Sequence, residues 1–127
     1  MTKKQEAKTI LVIEDEVDIL NFASRVLELE GYHVLQARDT EEGMKLVSES
    51  HVRLVLLDLR LLKHDGWTVL ERMKSEPALS AIPVIVFTAS AGVSERKRAL
   101  SMGAAGYLVK PVSAARLKNA VVRVLCR

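Results

Sequence analysis

Midway along the chain, residues 53–58 read Arg-Leu-Val-Leu-Leu-Asp, four consecutive apolar positions that stop at an acid. A strand with one wet face alternates apolar and polar residues. Unbroken apolarity instead marks a strand covered on both faces, as in the middle of a parallel sheet. Both covers must then come from helices, because parallel strands need crossover connections. The acid that ends the run, Asp58, is costly to bury unless it is paired or put to use.

The flanking sequence supplies those helices in regular alternation. Thr9 to Ile13 is a short β-branched run. Glu16 to Glu30 follows with a helical stripe of Val17, Leu20, Ala23, Ser24 and Leu27, which Gly31 can close. Tyr32 to Ala37 reads as extended. Asp39 or Thr40 can cap a second helix that carries Glu41 and Glu42 in its first turn and turns Met44, Leu46 and Val47 inward. Trp67 to Glu76 predicts a third helix stopped by Pro77, and Pro83 to Phe87 a fourth strand, with proline tolerated at its first position. Ser94 to Ser101, Gly106 to Val109 and Ser113 to Leu125 complete the series as helix, strand and helix, with Ser113 as N-cap. Five strands alternating with five helices predict a doubly wound α/β fold built on a five-stranded parallel sheet. Residues 1–8 read as an N-terminal tail and 9–127 as one domain, the size that 127 residues support.

Composition narrows the function classes. The longest apolar runs, Leu54 to Leu57 and Val84 to Phe87, are far short of the roughly 20 residues that span a bilayer. Met1 to Lys8 lacks the apolar segment of a secretory signal. The single cysteine, Cys126, excludes an internal disulfide framework and suits a reducing compartment, so a cytoplasmic protein is expected. Residues 1–63 hold 9 Lys and Arg against 12 Asp and Glu, and residues 64–127 hold 10 against 4, which gives the halves charges of −3 and +6. The cations of the basic half are spread out without interleaved aromatic residues, so direct nucleic-acid binding by this domain is not expected.

Open α/β sheets place their sites beyond the C-terminal ends of the strands. Those positions carry Glu14 and Asp15 after the first strand, Asp58 at the end of the third, Thr88 after the fourth and Lys110 after the fifth. Taken singly, each has a plain structural explanation. Glu14, Asp15, Glu16 and Asp18 can be a solvated helix N-terminus, Asp58 a helix cap, Thr88 a strand hydroxyl and Lys110 a surface lysine. Together they place three acids, a hydroxyl and an ammonium at one rim. Three crowded carboxylates repel one another unless a cation joins them. Oxygen ligands without His or Cys favour Mg2+ or Ca2+, and the small number of carboxylates suits Mg2+. A lysine and a threonine opposite a carboxylate make a phosphoryl site with Asp58 as nucleophile.

These residues resemble the response-regulator receiver family of bacterial two-component signalling, from about Thr9 to Leu125. The resemblance rests on Ile-Glu14-Asp15-Glu16, the apolar strand ending in Asp58, Gly66 eight residues later, Thr88-Ala89, and Gly-Tyr107-Leu-Val-Lys110-Pro111. It implies a flavodoxin-like sheet of order 2-1-3-4-5. It implies that Asp58 accepts a phosphoryl group from a sensor histidine kinase, a phosphotransfer protein or a small phosphodonor. The expected cofactor is Mg2+, held by Asp15, by Glu14 directly or through water, by Asp58, and by the backbone carbonyl of Arg60. Lys110 is expected to pair with the phosphoryl oxygens, Thr88 to hydrogen-bond one of them, and the Lys110-Pro111 bond to be cis. On phosphorylation Thr88 moves inward and the Tyr107 ring follows, altering the face of the fourth helix, fifth strand and fifth helix for a downstream protein target or output domain. Arg96, Lys97, Arg98, Arg116 and Lys118 are expected near that face. A phosphorylation-dependent dimer is left open.

The chain departs from the family pattern at Glu14, where Asp is frequent, at Leu62 in place of a frequent proline, and at Val112 in place of a bulkier residue. Arg60 and Ser90, two positions beyond Asp58 and Thr88, border the place where water attacks an acyl phosphate, and are expected to set its lifetime. His33, His51 and His64 build no metal set. Met44, Met73 and Met102 read as core filler, and Trp67 as a packing residue.

Two other classes compete with the phosphoaccepting switch. An interaction module that takes no phosphate is disfavoured by intact Asp15, Asp58, Thr88 and Lys110. A phosphohydrolase with an aspartyl intermediate usually needs a second Asp two residues on, where this chain has Arg60. The chain is expected to act either alone by docking or as the receiver part of a longer regulator.

Overall fold

In a computed structural model, residues 8–60 and 65–126 are described; Leu62 and His64 lie outside them. The elements run β1 (Thr9–Ile13), α1 (Val17–Leu29), β2 (His33–Ala37), α2 (Thr40–Glu49), β3 (Leu54–Leu57), α3 (Gly66–Ser75), β4 (Val84–Thr88), α4 (Val93–Ser101), β5 (Gly106–Val109) and α5 (Ala114–Leu125). All strands pair in parallel in the order β2-β1-β3-β4-β5, the flavodoxin-like arrangement that the resemblance implies. β3 is the middle strand, and all four of its residues are buried, as its unbroken apolarity requires.

Successive strand residues point to opposite faces, and the core divides accordingly. Leu11, Ile13, Val55, Leu57, Val84 and Val86 pack on one face against Met44 and Val47 of α2 and Val69, Leu70 and Met73 of α3. Ile10, Val12, Leu54, Leu56, Ile85 and Phe87 pack on the other against Leu20 and Leu27 of α1 and Leu117 and Val121 of α5. Met102 packs partly buried beside the first cluster.

Helix starts follow local chemistry. The Asp39 side chain accepts from the Glu42 amide at the head of α2, and Ser113 does the same for Arg116 at the head of α5. Gly31, with φ of +95°, turns the chain out of α1 in a conformation that favours glycine. Pro83 lies just outside β4 and joins the ladder only as an acceptor, from the Val55 amide. α3 begins earlier than expected, because the Asp65 side chain caps it by accepting from the Trp67 amide. Val17, expected on the inner stripe of α1, is 44% exposed. It sits at the helix's first residue, and Val26 is buried instead. No helix among the described residues is long and apolar enough to cross a membrane.

Candidate functional site

The register sets the rim. Ile13 lies beside Leu57, Leu57 beside Val86, and Thr88 beside Val109, so the residues that follow β1, β3 and β5 emerge together with the end of β4. The Glu14 backbone stays in the sheet, its amide donating to the Ala37 carbonyl at 3.0 Å. Its side chain is fully buried, and Oε2 accepts from the Glu16 amide at 3.1 Å. Asp15 is half-buried, and its carbonyl accepts from Arg38 Nη2 at 3.1 Å. Asp58 is buried at 3% exposure, with Oδ1 accepting from the Arg60 amide at 3.0 Å.

Lys110 closes the constellation. Its Nζ donates to Glu14 Oε1 at 2.5 Å and to Asp58 Oδ2 at 3.1 Å, and lies 5.1 Å from the centre of the Phe87 ring. The Lys110-Pro111 peptide is cis. Glu14, Asp15 and Asp58 each bring a carboxylate oxygen to within 4.8 Å of the others. Thr88 is fully buried, and its Oγ1 accepts from the Ser90 amide at 3.4 Å.

Three carboxylates facing one ammonium leave excess negative charge. Burial pushes the Glu14 carboxyl up to about 7, against the hydrogen bonds from Lys110 and the Glu16 amide that pull it down; the charge of Asp58 adds to the rise. Burial pulls Lys110 down, but its hydrogen bond to Glu14 and the charges of Asp58 and Glu14 outweigh that, and it is held as an ammonium. Lysine alone therefore does not satisfy the acids. A hard divalent cation with oxygen ligands would, and three carboxylates on one rim fit Mg2+ in donor type and number.

The surroundings tie this cluster to the helices. Arg60 and Asp65 pair in an isolated antiparallel bridge after β3. Gly66 then passes so close that a Cβ there would meet the Asp58 carbonyl and lie 2.6 Å from Leu59 Cα. The Arg60 guanidinium reaches Glu95 of α4 at 3.9 Å, and Arg98 of α4 lies 4.0 Å over the Trp67 ring of α3. Tyr107 is already buried here, its hydroxyl donating to the Ser90 carbonyl at 2.9 Å. Of the cations expected near the outer face, Arg98 is turned to Trp67 and Lys118 to Glu30 at 3.5 Å. Arg38 and Phe87 escaped the sequence reading. Both meet the site only through tertiary contact, and nothing in their local sequence signals it. His33, His51 and Cys126 are exposed.

Comparison with known proteins agrees with this geometry. The family model for the response regulator receiver domain matches residues 10–122. A probable transcriptional regulator ycf27 of Porphyridium aerugineum is 38% identical over 122 residues, covering 96% of this chain and 50% of that protein. The DNA-binding dual master transcriptional regulator RpaA of Synechocystis is 37% identical over 102 residues, covering 80% and 42%. The chain thus spans about half the length of the curated relatives it matches. Among solved structures, a putative response regulator from Chloroflexus aurantiacus superposes with a TM-score of 0.91 at 26% identity, covering 96% of this chain and all of that one. A CheY-like receiver domain protein from Methanospirillum hungatei gives 0.87 at 28%, covering 95% of each chain. Sequence, topology and rim agree, and the chain belongs to the response regulator receiver domain family.

Proposed function

We propose that Asp58 is the phosphoacceptor of a two-component pathway, taking a phosphoryl group from a histidine kinase, a phosphotransfer protein or a small phosphodonor in the presence of Mg2+. The observation that carries this reading is Lys110 Nζ bridging Asp58 Oδ2 and Glu14 Oε1 inside a cluster of three carboxylates. An Asp58 carboxylate oxygen attacks phosphorus in line as the bond from phosphorus to the donor imidazole nitrogen breaks. The imidazole leaves with the electron pair, and an acyl phosphate remains. Glu14, Asp15, Asp58 and the Arg60 carbonyl would hold Mg2+, which when bound supplies positive charge beside the transferred oxygens. Lys110 exchanges its contact with the Asp58 carboxylate for a phosphoryl oxygen, and the Thr88 hydroxyl donates to another.

The product carries roughly −1.5 to −2 charge and three strong acceptors. It can shift the protein only by contacting two conformations unequally. Thr88, Ser90 and Tyr107 are joined through the Ser90 amide and carbonyl, a path from the site toward α4, β5 and α5. That face is the output surface, read by a separate target or by a further domain of a longer regulator. Arg60 and Ser90 border the acyl phosphate and set its lifetime. The chain acts as a signalling switch and turns over no external substrate.

Incubation with acetyl phosphate and Mg2+, followed by intact-mass measurement, tests the reading. The chain should gain the mass of one phosphoryl group, and Asp58→Asn should not. Equal labelling of both, or labelling indifferent to a chelator, would overturn it.

A further inference from the structure

Arg38 lies outside the acid cluster, between β2 and α2, yet it reaches back to the turn after β1. Its Nη2 donates to the Asp15 carbonyl at 3.1 Å. That carbonyl shares one peptide group with the Glu16 amide, which donates to Glu14 Oε2 at 3.1 Å. A peptide group is a stiff plane. The Asp15–Glu16 plane is therefore gripped at both ends, by Arg38 on its oxygen and by Glu14 on its nitrogen. Where Arg38 holds the oxygen bears on how the Asp15 side chain leaves the backbone and on where the Glu14 carboxylate settles. Arg38 is itself placed by the head of α2. Its amide donates to Glu42 Oε1 at 3.0 Å, and the Glu42 amide donates to the capping Asp39 Oδ1 at 2.8 Å.

We propose that Arg38 is a positioning residue for the divalent cation: by holding the Asp15–Glu16 peptide it presets the Glu14 and Asp15 carboxylates for Mg2+. The role rests on the Mg2+ reading of the rim. An arginine beside a cation site acts in two opposed ways. Its charge repels the cation and weakens binding. Its hydrogen bond fixes two ligand side chains before the cation arrives, so less freedom is lost on binding, and the affinity rises. Arg38 is exposed, so water and salt screen its charge. The hydrogen bond acts locally, through one covalent plane, and is the larger effect. Nor is the arginine needed merely to keep the two loops together, because the Glu14 amide already donates to the Ala37 carbonyl at 3.0 Å.

The test is titration of the full 15N-labelled chain with MgCl2, followed by amide resonances that include Glu16. Arg38→Ala should weaken Mg2+ binding about threefold or more. Arg38→Lys keeps a donor and the charge on a shorter stem, and should bind Mg2+ more tightly than Arg38→Ala. Lys45→Ala removes an exposed cation from α2 and should leave the affinity unchanged. In EDTA the Glu16 amide resonance should move in Arg38→Ala and stay in place in Lys45→Ala, since only the first frees the peptide plane. Unaltered affinity in Arg38→Ala, or a lysine variant no tighter than alanine, would sink the positioning role and leave the Mg2+ reading standing. Tighter binding in Arg38→Ala would do the same and make the arginine a repelling charge. A parent chain that binds no Mg2+, or an Asp15→Asn variant that binds it equally well, would instead overturn the Mg2+ reading and the role of Arg38 with it.

Discussion

Helices α1 and α4 both leave the C-terminal rim of the sheet beside the candidate site, yet they are fastened in different ways. α1 spans 13 residues and buries Leu20, Ala23, Ser24, Val26 and Leu27, whereas α4 spans nine and buries Ala99 alone. α4 is also held by polar and aromatic contacts at its surface, Glu95 to Arg60 and Arg98 over Trp67. Burying one large aliphatic side chain is worth about 1.5–3 kcal/mol, while an exposed ion pair contributes about 0–1. α1 is therefore part of the scaffold. α4 is the more weakly fastened element, since segments with little buried apolar surface open at the lowest free energy.

Core deletion should break the comparison most plainly. Leu27→Ala should cost about 2–5 kcal/mol in urea denaturation. Leu100→Ala on α4 should stay within about 0.5 kcal/mol. Equal losses would mean that α4 is anchored as firmly as α1.

Glu14, at the foot of α1, offers a pH test on the scaffold side. Its folded value of about 7 stands above the ordinary 4.5, so the folded chain holds more protons than the unfolded chain between the two. Its contribution to stability is therefore complete below about 4.5 and lost as pH rises through about 7. In chelator, the parent chain should lose roughly 1–3 kcal/mol more than Glu14→Gln between pH 5 and 8. Parallel stability curves for the two would contradict it.

On the α4 side the effects shrink. Arg98→Ala should cost about 0.5–1 kcal/mol and alter Trp67 emission, because the guanidinium over the ring is lost. Smallest of all, a double-mutant cycle of Arg60→Ala and Glu95→Ala should return a coupling under about 1 kcal/mol that fades with added salt, the contact being long at 3.9 Å and the Arg60 side chain exposed. A coupling of several kcal/mol would make α4 a clamped element.

The same contrast explains what could be read from the sequence. Elements whose burial is dictated by one-dimensional pattern were legible. β1 and β5 fall where the apolar runs place them, β3 is the doubly covered strand, and Asp58, Lys110 and the Glu14-Asp15 pair meet at the rim. Errors gathered where neighbours decide. Val17 matches the helical period, but at the first residue of α1 it is left exposed. Asp65 caps α3, which starts at Gly66, one residue before the Trp67 at which the sequence pattern begins it. The partners of Arg98 and Lys118 were beyond reach, because a cation on a helix surface bears no local mark of which neighbour it will lean on.

Gly66 has no side chain to offer and only its amide bonds, to the Leu59 carbonyl, yet the Asp58 and Leu59 backbone leaves no volume there for even a methyl group. On the proposed phosphoacceptor reading, a genetic screen for lost signalling should therefore recover it beside Asp58, as a position that matters for the room it leaves.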